Sequence, residues 1–247
     1  MKLYTVLMLF VAVLAGCATS REPDERARNI AKIHTELAAA YFERKQYAVA
    51  LQEVGVAMQA DDTYAPIYNV SGLVRMALRE DEQAEADFRR GMKLDPDNSE
   101  MHNNFGWFLC QRGREKESIQ QFLSALKNPL YATPETAYAN AGICARKIGD
   151  LQTAESYSQR ALILHPGMPE ALYGLADVSF ARADYAAAKA YFLRFQQSTQ
   201  DFSAEQLWLA VRIERKMHDR NSEASYAMQL SKRFPESREA QLLQMGE

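Results

Sequence analysis

A pattern of small residues recurs every 34 to 36 residues along most of this chain, and its two clearest copies lie between residues 103 and 150. Gly106 and Gly113 mark the first copy. Gly142 and Gly149 hold the same places in the second, 36 residues further on. A unit of this length cannot bury its apolar face alone, so several copies must stack on one another to form a continuous core. The period therefore restricts the chain to a repeat architecture.

Each position of the pattern favours a helix–turn–helix unit. A small residue in the first helix lets the second helix approach closely, and a Gly in the loop can adopt the positive φ that ends a helix. A Pro after the second helix stops it, because Pro cannot donate the next backbone hydrogen bond. Steps of about 34 residues in both directions lead to further small residues in the first-helix position. These are Ala38, Gly72, Ala176 and Ala210.

The period and residue order resemble the tetratricopeptide repeat (TPR). The resemblance implies an all-α solenoid of about six helix–turn–helix repeats that forms a right-handed superhelix, with a degenerate sixth repeat. The solenoid is expected over residues 31–247. The expected repeats lie near residues 31–64, 65–98, 99–134, 135–168, 169–202 and 203–236, followed by a C-terminal cap.

The first 16 residues have the pattern of a signal peptide. Lys2 precedes an apolar run that is shorter than the roughly 20 residues needed to span a bilayer. The run ends in Leu-Ala-Gly-Cys at residues 14–17, which resembles the lipobox of bacterial lipoproteins. That resemblance implies a lipidated, palmitate-bearing Cys17, followed by a polar tether to residue 30. An ordinary secretory signal with an incidental Cys is the alternative.

The residue after Cys17 is Ala18, where an Asp would favour the inner membrane in enterobacterial lipoproteins. By that resemblance the protein is expected at the periplasmic face of the outer membrane of a Gram-negative bacterium, held by its N-terminal lipid. Several acyl chains on one Cys exceed what stable anchoring requires.

Composition and motifs argue against several functions. The net charge of −3 and the lack of a basic run do not fit a nucleic-acid-binding protein. The chain has no Gly-rich phosphate loop and no nucleophile or metal motif. Its His residues are scattered: His34, His102, His165 and His218. We therefore predict a protein that is not an enzyme, holds no metal or cofactor, and is a monomer.

Two further cysteines, Cys110 and Cys144, lie on the first helices of the third and fourth repeats. First helices of neighbouring repeats run side by side, so the two sulfur atoms can be close. The expected periplasmic location is oxidising and permits a disulfide. The alternative is a pair of buried thiols that act as small apolar residues.

In TPR arrays the first helix of each repeat lines the concave face, and this placement predicts a protein-binding groove. The candidate groove residues are Phe42, Asn69, Leu73, Met76, Asn103, Trp107 and Tyr173. Large apolar side chains on such a face suit an apolar peptide or helix laid into the groove. Packing of Phe42 and Trp107 against neighbouring helices is the alternative. Residues 128–135 between the third and fourth repeats are expected to form a fixed turn that carries Leu130 and Tyr131 inward.

One stretch resembles a narrower family. It contains Asn-Asn-Phe-Gly-Trp-Phe-Leu-Cys at 103–110, Asn-Pro-Leu-Tyr at 128–131, Thr-Pro-Glu at 133–135 and Asn-Ala-Gly-Ile-Cys at 140–144. These segments resemble the PilF/PilW lipoproteins of type IV pilus biogenesis. The resemblance implies a pilotin, which binds the pilus secretin and promotes its outer-membrane localisation and multimerisation. An outer-membrane TPR scaffold for β-barrel assembly or for peptidoglycan enzymes is the alternative.

Overall fold

The computed structural model describes residues 24–199 and 201–246, and within these ranges the chain is entirely helical. Residues 1–23, with the predicted signal peptide and Cys17, lie outside the described residues. The helices are α1 (Glu25–Glu43), α2 (Tyr47–Ala60), α3 (Pro66–Ala77), α4 (Asp81–Leu94), α5 (Ser99–Gln111), α6 (Glu115–Ala125), α7 (Pro134–Lys147), α8 (Leu151–Leu164), α9 (Pro169–Ala181), α10 (Tyr185–Ser198), α11 (Ala204–Lys216), α12 (Arg220–Arg233) and α13 (Arg238–Met245).

The first twelve helices form six consecutive pairs, and α13 follows the last pair. This arrangement confirms the predicted all-α repeat fold. We call the odd-numbered helices α1 to α11 the A helices and the even-numbered helices α2 to α12 the B helices. The start of the first A helix differs from the expectation, because residues 25–30 were assigned to a tether and are helical. Asp24 explains the early start, since its Oδ1 accepts a hydrogen bond from Arg26 N (3.2 Å) and caps the helix.

The A helices contact both the B helix of their own pair and the next A helix along the chain. The backbones of consecutive B helices lie further apart than those of consecutive A helices, although α10 and α12 still meet through side chains, since Tyr226 Oη donates to Gln196 Oε1 (3.1 Å). The array therefore curves with the A helices on its inner side. The surface formed by the six A helices is called the A-helix face below.

Each of the six turns from an A helix to its B helix contains one residue with positive φ. Only Gly113 (φ 73°) and Gly149 (φ 79°) are glycines, as the sequence pattern predicts. The other four turns place an L side chain in the left-handed region: Lys45, Arg79, Ala183 and His218, with φ between 60° and 64°. The turn geometry is therefore imposed by the helix pair and not by glycine alone.

On three A helices a glycine lies against a residue sixteen positions later on the B helix, namely Gly72 against Phe88, Gly106 against Phe122 and Gly142 against Ser158. A Cβ on Gly72 would lie 2.8 Å from the ring of Phe88, and one on Gly106 would lie 2.7 Å from the ring of Phe122. Both rings are fully buried. The small residue therefore provides the volume that the aromatic ring fills, which explains the strict spacing of the sequence pattern.

The structure joins Cys110 and Cys144 in a disulfide with a Cα–Cα distance of 5.9 Å. It links α5 to α7, and both residues are buried beside Phe122. The turn after α6 differs from the expectation. Leu130 is 88% exposed and does not point inward, because Asn128 Oδ1 accepts a hydrogen bond from Leu130 N (2.9 Å) and places Leu130 at the tip of the turn. Tyr131 is half-buried.

Candidate protein-binding face

The predicted groove residues all lie on A helices and fall into two groups. Asn69 and Asn103 are buried, and each exposes only 6% of its surface. The other five are half-buried: Phe42, Leu73, Met76, Trp107 and Tyr173.

The half-buried apolar residues are fixed by the core while part of each side chain stays accessible. Phe42 packs against Tyr47, with ring centroids 5.9 Å apart. Leu73 and Met76 pack on the buried aromatic cluster around Phe88. The neighbour-packing alternative raised for Phe42 and Trp107 is therefore correct in part, since both contribute to the core and both retain exposed surface.

Asn69 and Asn103 belong to a row of amides that crosses α3, α5 and α7. Asn104 Nδ2 donates to Asn69 Oδ1 (3.1 Å), Asn103 Nδ2 donates to Asn104 Oδ1 (3.4 Å), and Asn140 Nδ2 donates to Asn103 Oδ1 (3.1 Å). Asn69 Nδ2 also donates to Glu100 Oε1 (3.3 Å). The row holds neighbouring A helices together through polar contacts, so Asn69 and Asn103 fix the spacing of the face.

Further along the face, α7 and α9 are joined by an ion pair. Arg146 Nε lies 2.7 Å from Asp177 Oδ2. Tyr173 lies one turn before Asp177, and its ring packs against Phe195 with centroids 5.6 Å apart. Burial raises the pKa of the Tyr173 hydroxyl, and the Asp177 and Glu205 carboxylates raise it further. Tyr173 is therefore a neutral hydrogen-bonding group at any physiological pH.

Two cavities adjoin at Tyr173. The first has a volume of about 380 Å³ and is lined by side chains from α7, α9, α11 and α13. The second, of about 360 Å³, lies between α7, α9, the end of α10 and the start of α11. Ile143 and Tyr173 line both. Seven of the twelve residues that line the first cavity are charged, namely Arg146, Lys147, Asp177, Glu205, Arg212, Arg238 and Glu239. Concave surfaces with convergent polar groups are typical places for ligands to bind.

Comparison with protein families agrees with the repeat architecture. Tetratricopeptide-repeat family models match residues 65–98 and 139–201. A crystal structure of PilW, described as a widely conserved type IV pilus biogenesis factor, superposes with a TM-score of 0.79 at 32% sequence identity, over 87% of this chain and 98% of PilW. The chain belongs to the PilF/PilW family.

A second solved structure and a curated relative agree with this assignment. The structure of Pseudomonas aeruginosa PilF superposes with a TM-score of 0.81 at 25% identity, over 90% of this chain and all of that one. The type IV pilus assembly protein PilF of the same organism is 26% identical over 250 residues, which cover 99% of both chains. As a PilF/PilW protein, this chain is a TPR protein of type IV pilus biogenesis.

In this PilF/PilW protein, the sixth repeat supplies residues to the face that sequence reasoning missed. Trp208 and Arg212 of α11 line the first cavity, and α13 closes one side of it. Helix α11 starts 35 residues after α9, so this shift maps Tyr173 onto Trp208 and Asp177 onto Arg212. The repeat spacing could have identified both residues had the sixth repeat been aligned as fully as the fifth.

Sequence reasoning also missed an exposed apolar stripe on α1. Ile30, Ile33 and Leu37 are 36%, 55% and 41% exposed. Their spacing places them on one side of the helix. Within residues 24–199 and 201–246, no other helix covers this side of α1. The spacing was visible in the sequence, but residues up to 30 were assigned to the tether.

Two of the histidines take part in local hydrogen bonding. His34 Nδ1 lies 2.5 Å from Glu53 Oε2, and His102 Nδ1 lies 2.7 Å from Gln121 Oε1. The described residues contain no cluster of His, Cys, Asp or Glu arranged to hold a metal ion. No helix in residues 24–199 or 201–246 combines the length and apolar character needed to cross a membrane.

Proposed function

We propose that this protein is an outer-membrane lipoprotein that acts as a pilotin. It binds the subunit of the pilus secretin on its A-helix face and promotes localisation of that subunit to the outer membrane and its multimerisation there. Similarity to a type IV pilus assembly protein over 99% of the chain supports the assignment to pilus biogenesis. Binding and tethering are sufficient for this function, and no catalytic step is required.

The observation that carries the binding proposal is the set of half-buried apolar side chains on the A-helix face. Leu73, Met76 and Trp107 each pack against the core on one side and remain accessible on the other. A side chain held in this way loses little conformational freedom when a partner covers it. Interface energy is also concentrated in a few large residues, among which Trp is enriched.

The predicted lipid on Cys17 supplies the location. Tethering a binding module to a membrane raises the effective concentration of its bound partner at that membrane. A Cys17→Ser variant is expected to leave the outer-membrane fraction and to lose palmitate labelling. A variant that still labels with palmitate and sediments with outer membranes would contradict the lipobox.

The binding surface is tested with two matched double variants. Leu73→Ser with Met76→Ser changes the A-helix face. Leu193→Ser with Met228→Ser makes the same chemical change on B helices, where these side chains are 43% and 66% exposed. We expect SDS-resistant secretin multimers to be reduced by the first pair and unaffected by the second, with both proteins folded by circular dichroism and membrane-bound. The opposite result would place the binding surface on the B helices.

Deletion of the gene separates the pilotin from the alternative scaffold function. Loss of secretin multimers and of twitching supports the pilotin. Normal pili with altered cell shape or altered outer-membrane β-barrel content would support a scaffold for peptidoglycan enzymes or β-barrel assembly.

A further inference from the structure

Arg212 is a half-buried arginine without an anion. Its guanidinium carbon lies 4.7 Å from the ring centroid of Phe180 and 5.9 Å from that of Trp208. Its Nε is buried and has no hydrogen-bond partner, and within the described residues Arg212 forms no ion pair. The two rings hold the guanidinium in place, so a charged donor stands fixed with an unsatisfied N–H group.

Three arginines near the ends of other A helices differ from Arg212 in that each forms an ion pair with a carboxylate. Arg75 pairs with Asp87 (3.0 Å), Arg112 with Asp81 (2.5 Å) and Arg146 with Asp177 (2.7 Å). Asp177 lines the same cavity as Arg212 and is already held by Arg146. A buried donor without a partner is unfavourable, and pairing with an anion relieves that cost.

The cavity in front of Arg212 has the features of a site for a carboxylate next to an apolar group. Besides Arg212, the basic residues Lys147 and Arg238 line it, and neither forms an ion pair within the described residues. The carboxylates of Asp177, Glu205 and Glu239 line it as well, so with Arg146 the basic side chains outnumber the acidic ones by four to three. Ile143, Trp208 and Leu242 form apolar walls. Guanidinium binds carboxylate through two parallel hydrogen bonds, which makes it more selective for this group than an ammonium.

The surroundings favour an extended chain over a compact ligand. The second cavity continues from the first across Tyr173. On α7, Asn140 at the end of the amide row lies one turn before Ile143. Amides, a tyrosine hydroxyl and apolar walls thus follow one another along the A-helix face, which matches the alternating polar and apolar groups of a peptide.

We propose that the cavity formed by α7, α9, α11 and α13 binds an acidic segment of a partner protein, with a carboxylate on Arg212 and a neighbouring apolar side chain against Trp208 and Leu242. The carboxylate comes from an Asp or Glu side chain or from a C-terminus. The inference rests on the proposed function in one respect, namely that the A-helix face receives a protein segment.

The test uses the full chain purified in detergent and an array of short synthetic peptides. The array varies apolar residues around a central Asp or Glu, and each peptide has an Asn or Gln counterpart. Every peptide is made with a free and with an amidated C-terminus, which separates side-chain from terminal carboxylates. Bound peptides are then titrated by fluorescence anisotropy. We expect the acidic peptides to bind and their amide counterparts to bind about tenfold or more weakly.

The variants identify the residue responsible. Arg212→Gln is expected to weaken binding of the acidic peptides by about tenfold and to remove the preference over their amide counterparts. Arg212→Lys keeps the charge and loses the planar fork, so weaker binding is expected from it as well. Arg182→Gln is the matched control, because Arg182 follows helix α9, pairs with Glu155 and lies outside both cavities. It should bind as the wild type does.

Several results would overturn the inference: no peptide binding to the wild type, equal binding of acidic and amide peptides, or unchanged binding by folded Arg212→Gln and Arg212→Lys. Secretin multimers measured in cells separate this result from the proposed function. If Arg212→Gln loses peptide binding while secretin multimers in cells stay normal, the acidic-peptide site is supported and the secretin is excluded as the protein that supplies the acidic segment. If Arg212→Gln binds the peptides as the wild type does, the acidic-peptide site is contradicted. If the Leu73 and Met76 substitutions reduce multimers in the same experiment, the proposed pilotin function is still supported.

Discussion

Cys110 and Cys144 connect the A helices of the third and fourth repeats through a disulfide that closes a 34-residue separation in sequence. Both residues are buried, and Lys147 Nζ donates to Cys110 O (3.4 Å) at the same junction. The amide row crosses the same pair of helices through Asn140 and Asn103. The middle of the array is thus held by a covalent bond and a polar contact in addition to apolar packing.

The purified protein is therefore expected to contain no free thiol at Cys110 or Cys144 after denaturation without reductant. Reduction should lower the free energy of unfolding by about 3–4 kcal/mol, the amount that closing a loop of this length removes from the unfolded-state entropy. Urea denaturation with and without reductant measures it. The stability of the Cys110→Ser, Cys144→Ser double variant should not depend on reductant. Two reactive thiols per chain at these positions in the unreduced wild type would rule the disulfide out.

Gly106→Ala should overpack the third repeat. The added Cβ would lie 2.7 Å from the fully buried ring of Phe122, so the ring or one of the two helices would have to shift. We expect a loss of about 1–3 kcal/mol in the free energy of unfolding. Gly55→Ala is the matched control, because Gly55 lies inside α2 and a Cβ there would meet no heavy atom within 4 Å. That variant should gain about 0.5–1 kcal/mol, and equal effects of the two changes would disprove the assigned helix crossing.

The A-to-B turns give a pair of opposite predictions. Ala183 has φ 63°, so Ala183→Gly should raise the free energy of unfolding by about 1 kcal/mol through relief of left-handed strain. Gly149 has φ 79° and a Cβ added there would meet no heavy atom within 4 Å. Gly149→Ala should therefore lower the free energy of unfolding by a similar amount, because an L residue is strained in the left-handed region. Chemical denaturation of both variants tests the geometry. A stabilising Gly149→Ala substitution would show that this turn is not left-handed.

Asp61 should contribute to acid denaturation. Burial would raise the pKa of this carboxyl, but hydrogen bonds from Thr63 and the nearby Arg28 guanidinium (2.5 Å) hold the pKa below its usual value. A lowered folded-state pKa stabilises the fold above the unfolded value of about 3.9, and this stability is lost as the pH falls through the folded pKa. Wild-type stability should therefore fall more steeply below about pH 4 than that of Asp61→Asn.

Melting temperatures from pH 7 down to pH 3 measure the difference. Asp62→Asn is the control, since Asp62 is the exposed neighbour of Asp61 and its side chain forms no ion pair within the described residues. It should follow the wild-type curve. Parallel curves for Asp61→Asn and the wild type would show that Asp61 does not titrate with folding.

Several features of the fold followed from the sequence because they depend on steric contacts within one repeat. The spacing between Gly72 and Phe88 recurs between Gly106 and Phe122, and it encodes a crossing at which only a small residue fits against a large one. Gly113 and Gly149 likewise indicated left-handed turns. The left-handed Lys45 and Ala183 could not be identified in this way, since no residue preference marks them and the turn conformation comes from the packing of the helices on either side.

The candidate binding face was predicted less completely. Phe42, Leu73, Met76, Trp107 and Tyr173 were placed on the A helices correctly, because a position within a repeat fixes the side of the helix. Asn69 and Asn103 were expected to face a partner, yet they are buried in contacts with neighbouring A helices. Exposure depends on what the next repeat places opposite a side chain, and a single repeat does not contain that information.

The sequence by itself determined the repeat length, the helix order and the small-to-large pairing inside the second and third repeats, since these are local contacts that recur with a fixed period. Only the tertiary structure decided which groups meet between repeats. It brought Tyr173, Trp208, Arg212 and Leu242 around one cavity from α9, α11 and α13. The physical reason is that the curvature of the array and the position of its last helix set the distances between residues that are far apart in the chain.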